Sequence, residues 1–216
     1  MNYNIKCTPI KNGNYNVVGL ASVVVDDKLM VNNIQLIQND NNYEIHYPSR
    51  KSNKTNTGYT TIAFPADVKL KKKIMSAIIT SFKKGGENVS VETETPDELS
   101  TKVSLFDRDN IRGFCRVSFS KNNEFRFNDI FLREGSKGVF VDFPSYRTNK
   151  VDDEGKPVYN SVINPYSKEY YAELKDDLLA KYNELSLSEE PEFENEHEEE
   201  IDDEEEEDMD EPLLFR

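Results

Sequence analysis

Five lysines, Lys69, Lys72, Lys73, Lys83 and Lys84, recur with Ser76 and Thr80 between them at the three- and four-residue steps of one helix face. Lys71 stands at its border, and no carboxylate interrupts it. A row of this kind can hold a phosphate backbone, each ammonium acting as a hydrated point charge. Further cations follow two Pro-Ser dipeptides: Arg50, Lys51 and Lys54 after Pro48-Ser49, and Arg147 and Lys150 after Pro144-Ser145. Arginine forks to phosphate or stacks on a base. Tyr59, Tyr146 and Tyr159 stand nearby, able either to stack on bases or to pack across strands. A lysine face is also common as plain solvated surface, so the residue types alone leave both readings open.

Other chemistries lack their residues. The chain has no nucleophile elbow, no paired-histidine metal site and no glycine-rich phosphate loop, and Gly85-Gly86 reads as a helix stop. Cys7 and Cys115 make neither a disulfide framework nor a thiolate metal site and read as two small buried thiols. The expectation is a protein that is not an enzyme and holds no metal and no cofactor. No run approaches the ~18 to 20 apolar residues of a membrane span, and MNYNIKCTPIKNG lacks the regions of a secretory signal, so the expected location is cytoplasmic, without a membrane partner.

Charge is segregated. The net charge is −14, yet from Leu185 onward one basic residue faces 17 Asp and Glu, leaving the body at +2. Within that body, residues 1–88 carry +6 and residues 89–184 carry −4. One part can attract polyanions while another resembles one. Residues 186–216 repel themselves too strongly to condense and are expected to be a disordered acidic tail. Its tip, Pro212, Leu213, Leu214 and Phe215, is an apolar cluster suited to a protein partner.

An internal repeat sets the architecture. GLASVVVDDKLMVNNIQLI (19–37) matches GFCRVSFSKNNEFRFNDIFLR (113–133) with two residues added at the turn. In each copy apolar residues alternate and then change parity, at Asn32-Asn33 and at Asn128-Asp129, which implies a bulge. Another alternating strand, a Pro-Ser with a polar loop, and YTTIAFP (59–65) or YNSVINP (159–165) follow in each copy. Helices come next. Asp67 caps the first, with Leu70, Ile74, Ala77, Ile78 and Phe82 as its apolar stripe; Ser167 caps the second, with Tyr171, Leu174, Leu178, Tyr182 and Leu185. The expected class is α+β: two tandem repeats, 1–84 and 101–185, each a curved antiparallel β-sheet followed by a C-terminal α-helix. A linker joins them over 85–100, and they pack as an intramolecular pseudo-dimer, which makes a monomer the expected state and leaves higher association open.

The hairpin with Asn-Asn-Ile or Asn-Asp-Ile, the Pro-Ser followed by basic residues, and the strand ending in Pro before the last helix resemble the SpoVG (stage V sporulation protein G, septation regulator) family. The resemblance covers both repeats and implies a dimer of family units fused in one chain. It also implies nucleic-acid binding, to DNA or RNA, in a regulatory role. Combined with the cationic rows, it makes Arg50, Lys51, Lys54, Lys69, Lys72, Lys73, Lys83, Lys84, Arg147 and Lys150 the expected contacts, dominated by the first repeat. The tail is similar in kind to that of bacterial single-stranded-DNA-binding proteins, which implies replication or repair partners at its tip. The competing reading is an interaction protein acting in division or sporulation control, with little nucleic-acid affinity.

Overall fold

The computed structural model describes residues 1–188 apart from 12, 41, 53–55, 57, 95–97 and 120–123. In the first repeat β1 (Asn2–Pro9), β2 (Val17–Val25) and β3 (Leu29–Asn39) form a meander, and β4 (Asn42–His46) turns back along the far half of β3. A ribbon of β5 (Ser49–Lys51) and β6 (Tyr59–Thr61), the short β7 (Ala63–Pro65), helix α1 (Val68–Lys83) and β8 (Val89–Glu92) complete it. The second repeat runs the same course through β9 (Leu99–Arg108), β10 (Ile111–Phe119), β11 (Phe125–Gly135) and β12 (Gly138–Asp142). It continues as a ribbon of β13 (Ser145–Val151) and β14 (Pro157–Ser161), then β15 (Ile163–Pro165) and α2 (Lys168–Ser188). The class is α+β, and every strand pair among the described residues is antiparallel.

Both parity changes are bulges. Ala21 pairs with Ile34 and Val23 with Val31, so Ser22 opposes two residues; Arg116 does the same between Cys115–Ile130 and Val117–Phe127. Asn33 (φ 61°) and Asp129 (φ 59°) take the left-handed conformation that Asn and Asp tolerate better than most residues. The extra residue keeps Leu29, Val31, Ile34 and Leu36 in the core, and likewise Phe125, Phe127, Ile130 and Leu132.

The same bulges join the repeats. β7 leaves its own sheet to pair with β11, and β15 pairs with β3, so each sheet contains a strand of the other repeat. Asn32 donates its backbone N–H to the Val162 carbonyl at 2.8 Å and its side-chain amide to Asn164 Oδ1 at 2.9 Å. Asn128 donates to the Ile62 carbonyl at 2.7 Å and, through its amide, to the Thr61 carbonyl at 3.3 Å. The core is continuous across the junction: ring centroids step from Phe119 to Phe127 at 5.8 Å, to Phe125 at 5.0 Å, and to Tyr3 of the first repeat at 6.3 Å. Fully burying each such ring stabilises the fold by roughly 1.5–3 kcal/mol, so the repeat interface is core rather than an accessory contact.

The helices start where expected, with Asp67 accepting from the Leu70 N–H at 2.7 Å and Ser167 from the Tyr170 N–H at 3.0 Å. The stripe of α2 needs a correction: Tyr170, not Tyr171, is buried with Leu174 and Leu178, whereas Tyr171 packs on Phe143 and Leu185 is partly exposed. Tyr170 and Tyr171 precede Leu174 by four and three residues, so spacing could not separate two adjacent tyrosines. The helix also runs on to Ser188, past the expected boundary at Leu185. Gly85 (φ 74°) and Gly86 (φ 98°) do stop α1, their N–H groups donating to the Phe82 and Ser81 carbonyls. Beyond them the expected linker contains β8, because Val89 and Val91 alternate and β1 offers an edge; β9 begins at Leu99. Within the polar stretches after Pro-Ser, Ser49–Lys51 pairs with Tyr59–Thr61 and Ser145–Val151 with Pro157–Ser161 as the two ribbons. No helix among the described residues is long and apolar enough to cross a membrane.

Cys7 on β1 and Cys115 on β10 are buried in separate sheets, with thiols that burial pushes up to about 11 and about 12. The folded chain therefore holds thiol protons that the unfolded chain releases above its ordinary value near 9. Stability should be flat below about pH 9 and fall as pH rises toward 11, by up to ~1.4 kcal/mol per pH unit per thiol. Urea titrations across this range check it. The variant Cys7→Ala/Cys115→Ala should show a shallower alkaline slope, leaving what the buried Tyr3 and Tyr47 phenols, also pushed upward, contribute.

Candidate nucleic-acid interface

The buried side of α1 is Leu70, Ile74, Ala77, Ile78 and Ser81, which fixes its opposite side as the lysine face. Ser81 locks this rotation, accepting from the Cys7 N–H at 2.8 Å and donating to the Glu87 carbonyl at 2.6 Å. Lys69, Lys72, Lys73, Lys83 and Lys84 are all exposed, and none of the first three has an ion-pair partner among the described residues. Lys71 leans instead toward β4, beside Tyr43 and His46. The helix contains no acid, and Lys69, Lys71, Lys72 and Lys73 crowd its first six residues, at the positive end of the macrodipole. Each lysine there is unfavourable by about 0.3–1 kcal/mol at low salt, so helix stability does not account for them. In α2 the equivalent surface is mixed, with Lys181 paired to Asp177 at 3.1 Å.

Arg50 goes elsewhere. Its guanidinium grips Asp129 of the other repeat through both Nε and Nη2, the latter at 3.1 Å. Asp129 is buried, so the pair is a charged strap between the β5–β6 ribbon and the bulge of β11. No hydrogen bond or ion pair among the described residues joins Arg50 to the α1 lysines. Lys51 and Arg147 occupy exposed ribbon positions opposite Tyr59 and Tyr159, whose rings are themselves more than half exposed. Lys150 is also exposed on its ribbon. Lys54 and the whole of 189–216, with the expected disordered segment and the Pro212–Phe215 tip, lie outside the described residues.

Arg50→Ala should destabilise the fold by about 1–3 kcal/mol, because it leaves a buried carboxylate without its donors. The arginine is about half exposed and partly screened, which holds the cost toward the low end. Adding Asp129→Asn should recover most of the loss. Thermal denaturation of the single and double variants measures it, and a double variant no better than the single would mean that the strap does not act through charge.

Reading by sequence missed the partners that structure supplies: Asp129 for Arg50, and Lys102 and Arg116 across the same groove. It also missed Phe106, Phe114 and Phe131. Phe114 was legible as an anomaly, a large apolar residue out of phase with the core positions Gly113, Cys115 and Val117. No group of three or more His, Cys, Asp or Glu among the described residues could hold a metal ion.

Two sheets with exchanged strands and a helix each, in the same order twice, are the geometry of a duplicated unit. The family model SpoVG matches residues 1–84 and again residues 98–184. The chain belongs to the SpoVG family. Curated relatives called "Putative septation protein SpoVG" align with it over one repeat's length. The protein from Phytoplasma australiense is 31% identical over 88 residues, 39% of this chain and 83% of the relative. Those from Bacillus cytotoxicus and Bacillus mycoides are each 32% identical over 89 residues, 40% of this chain and 86% of the relative. Two SpoVG units thus stand in one polypeptide. No solved structure matches it.

Proposed function

We propose that this SpoVG chain binds nucleic acid, chiefly through phosphate contacts from the lysine face of α1. DNA is the first candidate, and the ribbons carrying Lys51 and Arg147 add secondary contacts. The observation that carries the reading is the acid-free helix whose lysines crowd the end where the macrodipole opposes them. A surface built against its own helix favours an external polyanion. Binding of this kind weakens steeply with salt. Labelled single-stranded DNA, duplex DNA and RNA, titrated at two salt concentrations, test it; retention of none of the three overturns it.

The acidic segment supplies a regulator of that surface. Residues from Leu185 carry −16 on the same chain as a +6 half, and effective concentrations for short flexible tethers reach about millimolar, enough for weak competition. Truncation after Ser188 should tighten oligonucleotide binding at low salt, by several-fold, with the gain vanishing at high salt. Unchanged affinity would remove the autoinhibition.

The relatives' name favours a second reading, a regulator of septation that works through protein contacts, the Leu213-Leu214-Phe215 tip among them. Deleting that tip tests its contact with partners: it should leave nucleic-acid affinity alone and cost partner proteins in a pull-down, while the oligonucleotide titration above separates the two readings.

A further inference from the structure

The sheet of the second repeat has one face under α2 and another that the β5–β6 ribbon borders through Arg50, Ser52 and Thr60. Thr101 of β9 faces the helix, hydrogen-bonded to Asp177 and Lys181, so Lys102, Ser104 and Phe106, one residue out of phase, face away. Gly113, Cys115 and Val117 are buried on β10, which puts Phe114 and Arg116 on the same outer face, and Phe131 and Arg133 continue it on β11. There Phe106, Phe114 and Phe131 lie edge to face in a row, centroids 4.7 and 5.3 Å apart, with the Arg133 guanidinium 5.3 Å over Phe131. The row crosses three strands, a strip about 10 Å across.

The middle ring, Phe114, also lines a groove of about 350 Å³ with Arg50, Lys102, Arg116, Asn128 and Asp129 among others. The acids on this face are neutralised, Asp129 by Arg50 and Asp142 by Arg133 at 2.6 Å. Arg116 is held by a neutral group, donating through Nε to the Asn128 side-chain Oδ1 at 2.9 Å, and Lys102 has no ion pair among the described residues. Partly exposed rings, Phe106 at 37% and Phe114 and Phe131 less so, therefore adjoin uncompensated positive charge. The fold does not need the rings: Leu20 and Gln35 stand at the positions of Phe114 and Phe131 in the first repeat, whose sheet has the same pairing and bulge.

We propose that this face stacks the bases of a single-stranded nucleic acid, with Lys102 and Arg116 on the adjoining phosphates. A duplex keeps its base faces inside and offers the strip nothing, whereas a single strand offers both a ring and a charge at each step. The inference rests on the nucleic-acid reading above but uses a surface separate from α1.

The test uses the full chain and three probes of equal length: labelled oligo-dT, oligo-rU and a DNA duplex. The variant Phe106→Ala/Phe114→Ala should lose about 10- to 100-fold in affinity for the single strands, with duplex binding and melting temperature close to wild type. Phe114→Trp should keep the affinity, and its indole fluorescence should be quenched by single strands but not by duplex. The oligo-dT and oligo-rU arms show whether the sugar matters. Unchanged single-strand affinity in the Ala variant overturns the platform, as does an equal loss for duplex and single strand, or quenching by a peptide of residues 186–216 in place of oligonucleotide. If wild type binds none of the probes, the parent reading fails with it. If wild type binds and only charge reversal on α1 abolishes binding, the platform alone fails.

Discussion

Replacing Lys69, Lys72 and Lys73 by Glu should abolish retention of oligonucleotide while the far-ultraviolet circular dichroism spectrum stays intact. The change removes three cations and adds three anions, taking the +6 of residues 1–88 to zero. Every phosphate left without its lysine should reduce the slope of log affinity against log salt by about 0.7–0.9, so the slope should drop by roughly 2–3 and affinity at low salt by at least ~100-fold. Stability should move the other way. All three positions are exposed and lie in the first turns of α1, where glutamate suits the macrodipole and lysine does not. The melting temperature should hold or rise slightly, which separates a binding defect from unfolding. If oligonucleotide is still retained, the helix face is the wrong surface, and the Lys51 ribbon and the Phe114 face become the sites to mutate next.

The repeat, both bulges and both helix caps were legible because each leaves a local mark: a parity change, an Asp or Ser before an apolar period, a pair of glycines. The lysine face was legible for the same reason, since helical spacing fixes which side chains share a side once the apolar stripe is known. Strand exchange was not. AFP and INP end in Pro and pair over three residues each, and nothing in so short a segment says which sheet receives it. For Arg50 the sequence announced a cation but not its partner, because Asp129 lies 79 residues away in the other repeat. β8 was hidden by the Thr- and Glu-rich composition around it, which suits a linker as well as an exposed edge strand. The aromatic strip went unread because apolar residues in a strand are taken as core, and only the topology shows that Phe106, Phe114 and Phe131 face away from it.

Severing the chain between its repeats should give two fragments, 1–93 and 98–188, neither of which is a folded monomer, and mixing them should rebuild the native fold as a one-to-one complex. Each fragment alone lacks a strand against its bulge, exposing the Asn32 or Asn128 donors and the apolar edge of β3 or β11. Self-pairing is the competing outcome, since backbone carbonyls that satisfy one asparagine can satisfy the other. Side-chain volume argues against it. In the intact chain the small Ala63 sits opposite the large Phe127, and the large Ile163 opposite the smaller Val31, all four fully buried. Self-pairing would set Ala63 against Val31, leaving a void, and Ile163 against Phe127, crowding the core; each error costs roughly 1–3 kcal/mol or more. The mixed complex should therefore exceed either homodimer at equal concentrations in sedimentation velocity. Ala63→Ile should weaken it by creating the same crowding within the native pairing. Fragments that fold as monomers would show that the exchanged strands are ornament, and a statistical mixture of dimers would show that volume does not set the pairing.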